Sequence, residues 1–314
     1  MYKTYLSHAR IGILLSILNE ITSYSQEVLV PDYICESVPN FLISHNIKVK
    51  FYNIDLNLKI EWEDLNSKIN INTKFLIIVN YFGFPQDLLE SIKIAKKYNL
   101  ILIEDNSHGY YGKFNNKELG TFGDYGITSP RKHLPLKFGG ILYSKNYIKF
   151  KNIDSIYKSN FYDKFNYYFS SNLLHLKLKL KKRLKGEIFE IKDIYEPIIK
   201  ISKLDKFSYR AIEKNNWQQT INLKNDNFKK WEKFCIQHSL KNPINFSVQG
   251  LNPWAYPVIL NNQKEVIFWL NWGVNNNVLV FSWPTIFNSS EIGKSAKILS
   301  KNLVCFSTYN YINV

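Results

Sequence analysis

Along the first 145 residues, short runs of β-branched and other apolar residues alternate with longer stretches whose apolar positions recur at helical spacing. The runs Val28 to Val30, Val49 to Ile54, Phe75 to Val79, Leu100 to Glu104 and Gly140 to Tyr143 are too short for helices and predict buried strands. Between them, Tyr33 to His45 and Leu88 to Tyr98 place apolar residues three and four apart and predict amphipathic helices. Such alternation belongs to an α/β fold with a mainly parallel sheet covered by helices.

The rhythm changes after that point. The stretch 146–234 is rich in Lys, Tyr and Phe, carries little Gly, and reads as a helical connecting region. The part 235–314 has strand-like runs at Ala255 to Leu260 and Val278 to Phe281, with the helix candidate Lys264 to Trp272 between them. The expected organisation is a large α/β domain at 1–145, the connecting region, and a smaller α+β domain at 235–314. No internal repeat and no low-complexity linker separates them.

Composition agrees with a globular chain. Its 314 residues are 45% hydrophobic and 16% aromatic, too apolar for intrinsic disorder. No apolar run approaches the ~20 residues that a transmembrane helix needs. The segment Ile11 to Leu18 imitates a signal-peptide core, but Asn19-Glu20-Ile21-Thr22 follows it where small residues would mark a cleavage site. The three cysteines, Cys35, Cys235 and Cys305, form no metal-ligand spacing, so neither a structural metal site nor a disulfide scaffold is expected. A cytoplasmic, reduced protein is the expectation.

The formal net charge of +15, from 41 Lys plus Arg against 26 Asp plus Glu, raises nucleic acid as a partner. The lysines are dispersed, however, and only Lys177 to Lys185 is dense, with Leu176, Leu178 and Leu180 alternating as in a solvated amphipathic face. No helix-turn-helix or RNA-binding motif is visible, so nucleic acid is not expected as the partner.

Candidate chemistry is concentrated between Ile103 and Gly140. Asp105 follows a buried apolar run and should emerge at the carboxyl end of a parallel strand, the edge where open α/β sheets bind ligands. A carboxylate there can pair with a cationic ring nitrogen, or it can cap the following turn. At the other end of the chain, Ser7-His8-Ala9-Arg10-Ile11-Gly12 leads into an apolar helix, and backbone amides at a helix start bind phosphate.

The order of these segments carries a resemblance. Ile103-Glu104-Asp105-Asn106-Ser107-His108-Gly109 precedes Gly120-Thr121-Phe122-Gly123-Asp124, and then Ser129-Pro130-Arg131-Lys132-His133-Leu134-Pro135 with Gly139-Gly140 behind. This succession resembles the DegT/DnrJ/EryC1/StrS sugar aminotransferases, pyridoxal-phosphate enzymes of fold type I. Val30-Pro31-Asp32-Tyr33-Ile34-Cys35, Tyr81-Phe82-Gly83-Phe84-Pro85-Gln86-Asp87, Tyr256-Pro257-Val258 and Trp283-Pro284 resemble further family segments in the same order.

The resemblance implies a pyridoxal 5'-phosphate cofactor and assigns residues to it. Lys132 would hold the cofactor aldehyde as a Schiff base, with Lys137 as the nearby rival. Asp105 would face the pyridine nitrogen, and His108 would lie near the ring. Ser129, Ala9 and Arg10 would bind the phosphate, with a contact from Arg131. Cys35 stands where an aromatic residue often stacks on the ring, His8 replaces a glycine of the phosphate loop, and Asn80 stands where many members carry His. Family members usually also have a helix before the phosphate loop and another after Leu303-Val304-Cys305.

The implied activity is transfer of an amino group, usually from glutamate, to a nucleotide-linked keto sugar for surface polysaccharide biosynthesis, by a homodimer. Two alternatives stay open. One is a sugar dehydratase on the same cofactor, a branch in which histidine takes the lysine's place; here Lys132 is intact, with His133 beside it. The other is a degenerate member that keeps the fold as a scaffold.

Overall fold

A computed structural model describes residues 1–148, 155–156, 158–165, 167 and 200–309. The basic run Lys177 to Lys185 lies outside these residues.

The large sheet is built from β1 (Tyr2–Leu6), β2 (Glu27–Pro31), β3 (Lys48–Tyr52), β4 (Thr73–Val79), β5 (Ile101–Asn106), β8 (Tyr125–Thr128) and β9 (Gly140–Ser144), with β10 (Ser155–Ile156) and β11 (Ser202–Lys203) at one edge; β6 (Lys113–Phe114) and β7 (Lys117–Glu118) form a separate hairpin. Among the described residues the nine strands of the large sheet run in the order β10-β11-β1-β9-β8-β5-β4-β2-β3. Neighbours from β8 through β5, β4 and β2 to β3 are parallel, and β9 is antiparallel to both β8 and β1. The chain is thus α/β with a mainly parallel sheet. The strands predicted at Val28 to Val30, Val49 to Ile54, Phe75 to Val79, Leu100 to Glu104 and Gly140 to Tyr143 all appear, shifted by a residue or two at their ends.

Helix α1 (Ala9–Glu20) buries every residue from Ile11 to Ile17 and packs on β8 and β9, so the segment that imitates a signal-peptide core is interior to the domain. The other helices around the sheet are α2 (Ser37–Ile43), α3 (Trp62–Lys68) and α4 (Leu88–Lys97). Asp87 caps α4 by accepting the Glu90 amide at 3.4 Å. The helix predicted from Tyr33 starts only at Ser37. The preceding residues form a turn, because Asp32 is occupied as an acceptor: it takes the Ile54 amide at 3.0 Å and the Gly293 amide at 2.9 Å. That second bond ties the large sheet to the C-terminal part.

The connecting stretch holds more than helices and loops. The short strands β10 and β11 within it extend the large sheet, through Ser155↔Ser202 and Leu6↔Lys203 pairing. The C-terminal part has a three-stranded antiparallel sheet, with β14 (Leu303–Ser307) between β12 (Ala255–Ile259) and β13 (Val280–Ser282). Helix Gln263–Asn275 packs on β13 and β14, and helix Trp217–Gln237 lies against β12. Trp231, Phe234 and Cys235 on that last helix are buried with Trp269, Phe306 and Val258, so it joins the C-terminal core before residue 235. One apolar cluster runs continuously from the large sheet into this part.

Candidate active site

Asp105 is the next-to-last residue of β5 and is buried, at the carboxyl ends of the parallel strands, as the pattern predicted. Its neighbour Glu104 is fully buried and does structural duty. Its two oxygens accept the amides of Gly120 and Phe122 at 2.7 Å each, and Asn80 Nδ2 donates at 2.8 Å. These bonds fix the Gly120 to Asp124 segment against the strand. A side chain at Gly126 would place its Cβ 1.5 Å from the Gly120 carbonyl oxygen, so only glycine permits this approach.

Asp105 itself is held by Ser107, whose amide donates to Oδ1 at 2.9 Å and whose hydroxyl donates to the same oxygen. Burial raises the Asp105 pKa, while the Ser107 bonds and the charge of Lys132 oppose that shift. The aspartate therefore also organises its own turn; the pairing and capping roles are compatible.

Lys132 stands on a short 3₁₀ turn, Pro130–Lys132, between β8 and β9. It lines a cleft together with Asp105, Ser107, His108, Cys35 and Trp283. Lys137 does not compete for this position. Its side chain is half exposed, its Nζ lies 3.9 Å from Asp163, and it does not line the cleft.

His108 is wholly buried beside Lys132. Its Nδ1 accepts the Phe82 amide at 3.1 Å, which puts the ring proton on Nε2 of the neutral imidazole. Burial first, then the charge of Lys132, hold its pKa well below the usual histidine value. His133 is also buried and held neutral by burial, Lys224 and Lys132, and it does not line the cleft.

Cationic groups and a helix start also line the cleft. Ala9 and Arg10, the first residues of α1, line it, and so do His8, Ser129 and Arg131. Helix-start amides lack intrahelical partners and carry the positive end of the dipole. His8 is the N-cap residue but makes no side-chain cap; its Nδ1 instead meets Ser7 Oγ at 3.0 Å. Burial, Arg131, Arg10 and Lys137 push His8 down to about 3, so it stays neutral among these cations. Arg131 Nε is buried with no hydrogen-bond partner among the described residues. The Ser129 hydroxyl donates to the Gly139 carbonyl at 3.2 Å, a long bond for which an anion would compete. Gly140 lets the helix start sit this low: a Cβ there would meet the His8 carbonyl carbon at 2.4 Å and the Ala9 nitrogen at 2.5 Å.

Cys35 forms part of the cleft wall, with its Sγ 3.1 Å from Ser37 Oγ. The structure thus gathers Ala9, Arg10, Cys35, Asp105, His108, Ser129 and Lys132 around one cleft. The donor set fits pyridoxal phosphate: an amine, a carboxylate near it, a neutral imidazole, and a helix start with cationic side chains that include an unpartnered buried guanidinium nitrogen.

Two participants were not singled out from the sequence. Ser107 could have been found from the Asp-x-Ser spacing, which favours a side-chain to backbone turn. Trp254 lies on the loop before β12, with its ring 4.5 Å from Lys132 Nζ, and no local signal marks it.

The chain is similar in sequence and in fold to known proteins. The chain is 34% identical over 119 residues to GDP-4-keto-6-deoxy-D-mannose 3-dehydratase of Escherichia coli O55:H7, covering 37% of this chain and 31% of that protein. It is 29% identical over 129 residues to GDP-perosamine synthase of Escherichia coli O157:H7, covering 41% and 35%. It is 26% identical over 193 residues to UDP-4-amino-4,6-dideoxy-N-acetyl-beta-L-altrosamine transaminase of Campylobacter jejuni, covering 56% and 49%. The chain spans about a third of the length of the first of these curated relatives. Among solved structures, Helicobacter pylori PseC, an aminotransferase involved in the biosynthesis of pseudoaminic acid, superposes with a TM-score of 0.66 at 17% identity, covering 98% of this chain and 81% of that one. Escherichia coli GDP-4-keto-6-deoxy-D-mannose-3-dehydratase with bound hydrated PLP superposes with a TM-score of 0.63 at 19% identity, covering 98% and 83%. These likenesses show a shared fold, and a family model matches residues 9–186, more than half of the sequence. The chain belongs to the DegT/DnrJ/EryC1/StrS aminotransferase family.

Proposed function

We propose that this protein is a pyridoxal-phosphate-dependent aminotransferase that moves an amino group from an amino-acid donor to a nucleotide-linked keto sugar. Glutamate is the donor we expect, and surface polysaccharide biosynthesis is the setting, in the cytoplasm and as a homodimer. The relatives named as a perosamine synthase and an altrosamine transaminase support the substrate class. No described helix is long and apolar enough to cross a membrane. The observation that carries the reading is the meeting of Lys132 and Asp105 in one cleft that Arg10, Arg131 and the start of α1 also line.

Bound there, the cofactor would supply a conjugated ring that withdraws electrons from a carbon losing its proton. Lys132 would provide the amine that holds the aldehyde, and its Nζ, when free, could carry a proton at the reacting carbon. Asp105 provides the negative charge that favours a protonated ring nitrogen. The two Ser107 bonds favour the ionised carboxylate and oppose the upward pull of its burial. His108, locked by the Phe82 amide, supplies a neutral imidazole wall with its Nε2 proton available to an oxygen acceptor. Ala9, Arg10, Ser129 and Arg131 supply donors for the phosphate.

A second reading, a sugar dehydratase, is favoured by the relative of that name at 34% identity. The retained Lys132 and the exclusion of His133 from the cleft support transamination instead. Adding glutamate to protein loaded with pyridoxal phosphate should convert its absorbance to that of the amine form of the cofactor, and a nucleotide keto sugar should reverse the change. An unchanged spectrum with every common amino donor would contradict the proposal and favour a scaffold. A deoxygenated sugar product would favour the dehydratase.

A further inference from the structure

The lysine of the cleft rests on a wall that comes from the other end of the chain. Lys132 Nζ lies 4.5 Å from the centre of the Trp254 ring and 5.5 Å from that of Trp283. The His108 ring lies 4.7 Å from Trp254 and 4.5 Å from Trp283, so imidazole and indoles form one box beside the amine. Trp254 is anchored on both sides of its own peptide unit. Its amide donates to the Phe82 carbonyl at 2.9 Å, and its carbonyl accepts the Thr308 hydroxyl at 3.0 Å. Its ring lies nearly parallel to that of Phe82, at 12°. An ammonium over an indole face is attracted by the ring quadrupole, and Trp gives the largest such attraction. A lysine side chain with four rotatable bonds otherwise loses much rotamer freedom when it is held in one place.

We infer that Trp254 is a positioning residue for Lys132: its indole face holds the amine in the cleft whenever that amine is not bonded to the cofactor. The functional meaning rests on Lys132 being the cofactor lysine, whereas the contact itself does not. Held there as its ammonium, the lysine stays confined to the cleft and has only to give up a proton before it adds to the aldehyde carbon, which shortens its search in each cycle.

The test compares Trp254→Phe, which keeps an aromatic face, with Trp254→Met, which keeps apolar bulk without one; Trp254→Leu replaces Met if that variant does not fold. Fold is checked by circular dichroism and melting temperature. The first readout needs no cofactor: trace acetylation by acetic anhydride, with Lys132 measured against the exposed Lys137 by peptide mass spectrometry. Lys132 reactivity should rise about two- to thirtyfold in the Met variant, the range of cation–π attraction from exposed to desolvated sites, and clearly less in the Phe variant. The second readout is the rate at which added pyridoxal phosphate reacts with Lys132, followed by absorbance, which should fall with Met and be rescued by Phe. Equal acetylation in all proteins, or equal rises for Phe and Met, would overturn the positioning role even if pyridoxal phosphate is taken up normally. The expected acetylation pattern with no uptake by the wild-type protein would instead overturn the cofactor reading, and the positioning role with it.

Discussion

Ser107 donates twice to one oxygen of Asp105, through its amide at 2.9 Å and through its hydroxyl. Both bonds favour the ionised carboxylate, while burial disfavours it. Ser107→Ala removes the hydroxyl bond, so the Asp105 pKa should rise further. A hydrogen bond to a charged group contributes ~1.5–3 kcal/mol, which corresponds to a shift of about one to two pH units. The acid limb of the pH–rate profile should therefore move upward by that amount with little change at high pH. A parallel loss of rate at all pH values would contradict this role for Ser107.

Asp105→Ala should leave Lys132 able to take up the cofactor while the proton-transfer step slows on the order of a hundred- to a thousandfold, the effect of removing one preorganised electrostatic group. Asn keeps the shape without the charge and should rescue little. Single-turnover rates measured on folded protein check this; near-wild-type rates in both variants would reduce Asp105 to a turn cap.

Gly140→Ala probes the start of α1. The added methyl would press on the His8 carbonyl carbon and the Ala9 nitrogen, displacing the start of α1. Retention of pyridoxal phosphate should weaken, while binding of pyridoxal, which lacks the phosphate, should change little. Equal losses for both compounds would mean that the helix start does not bind phosphate.

Lys224 is fully buried on helix Trp217–Gln237, and its Nζ lies 3.4 Å from Thr308 Oγ1. Burial pushes its pKa down to about 7. Unfolded lysine titrates at about 10.4, so between these values the unfolded chain binds more protons and stability rises with pH. As pH falls through about 7 that contribution is lost. Lys224→Met should therefore stabilise the protein at pH 6, on the order of a few kcal/mol, with the gain shrinking toward pH 10. Urea unfolding at pH 6, 8 and 10 checks this, and a pH-independent difference between variant and wild type would contradict it.

The parts of the fold legible in the sequence are those whose signal is local. Strands β2, β4 and β5 are buried along nearly all of their length and stand out as apolar runs, and Asp105 could be placed because it lies at the carboxyl end of one of them. Strand β8 was missed because Gly126 interrupts it, and that glycine is demanded by the Gly120 carbonyl, a contact between separate segments. Strand β1 was missed because its first residues are exposed and polar at the surface. Strand β14, the centre of the small sheet, is wholly buried, yet its five-residue run resembles a helix continuation in sequence. Lys132, Ser129 and His108 were legible as a motif in order along the chain. Trp254 was not, since it is more than a hundred residues from Lys132 and only folding brings them together.

In the proposed function Lys132, and no other lysine, holds the cofactor. Borohydride reduction of protein loaded with pyridoxal phosphate, followed by peptide mass spectrometry, tests it directly. The reduced cofactor should be found on the peptide containing Lys132, at about one equivalent per chain, and should be absent from Lys132→Ala. Label on Lys137, or no label on a protein that folds normally, would contradict it.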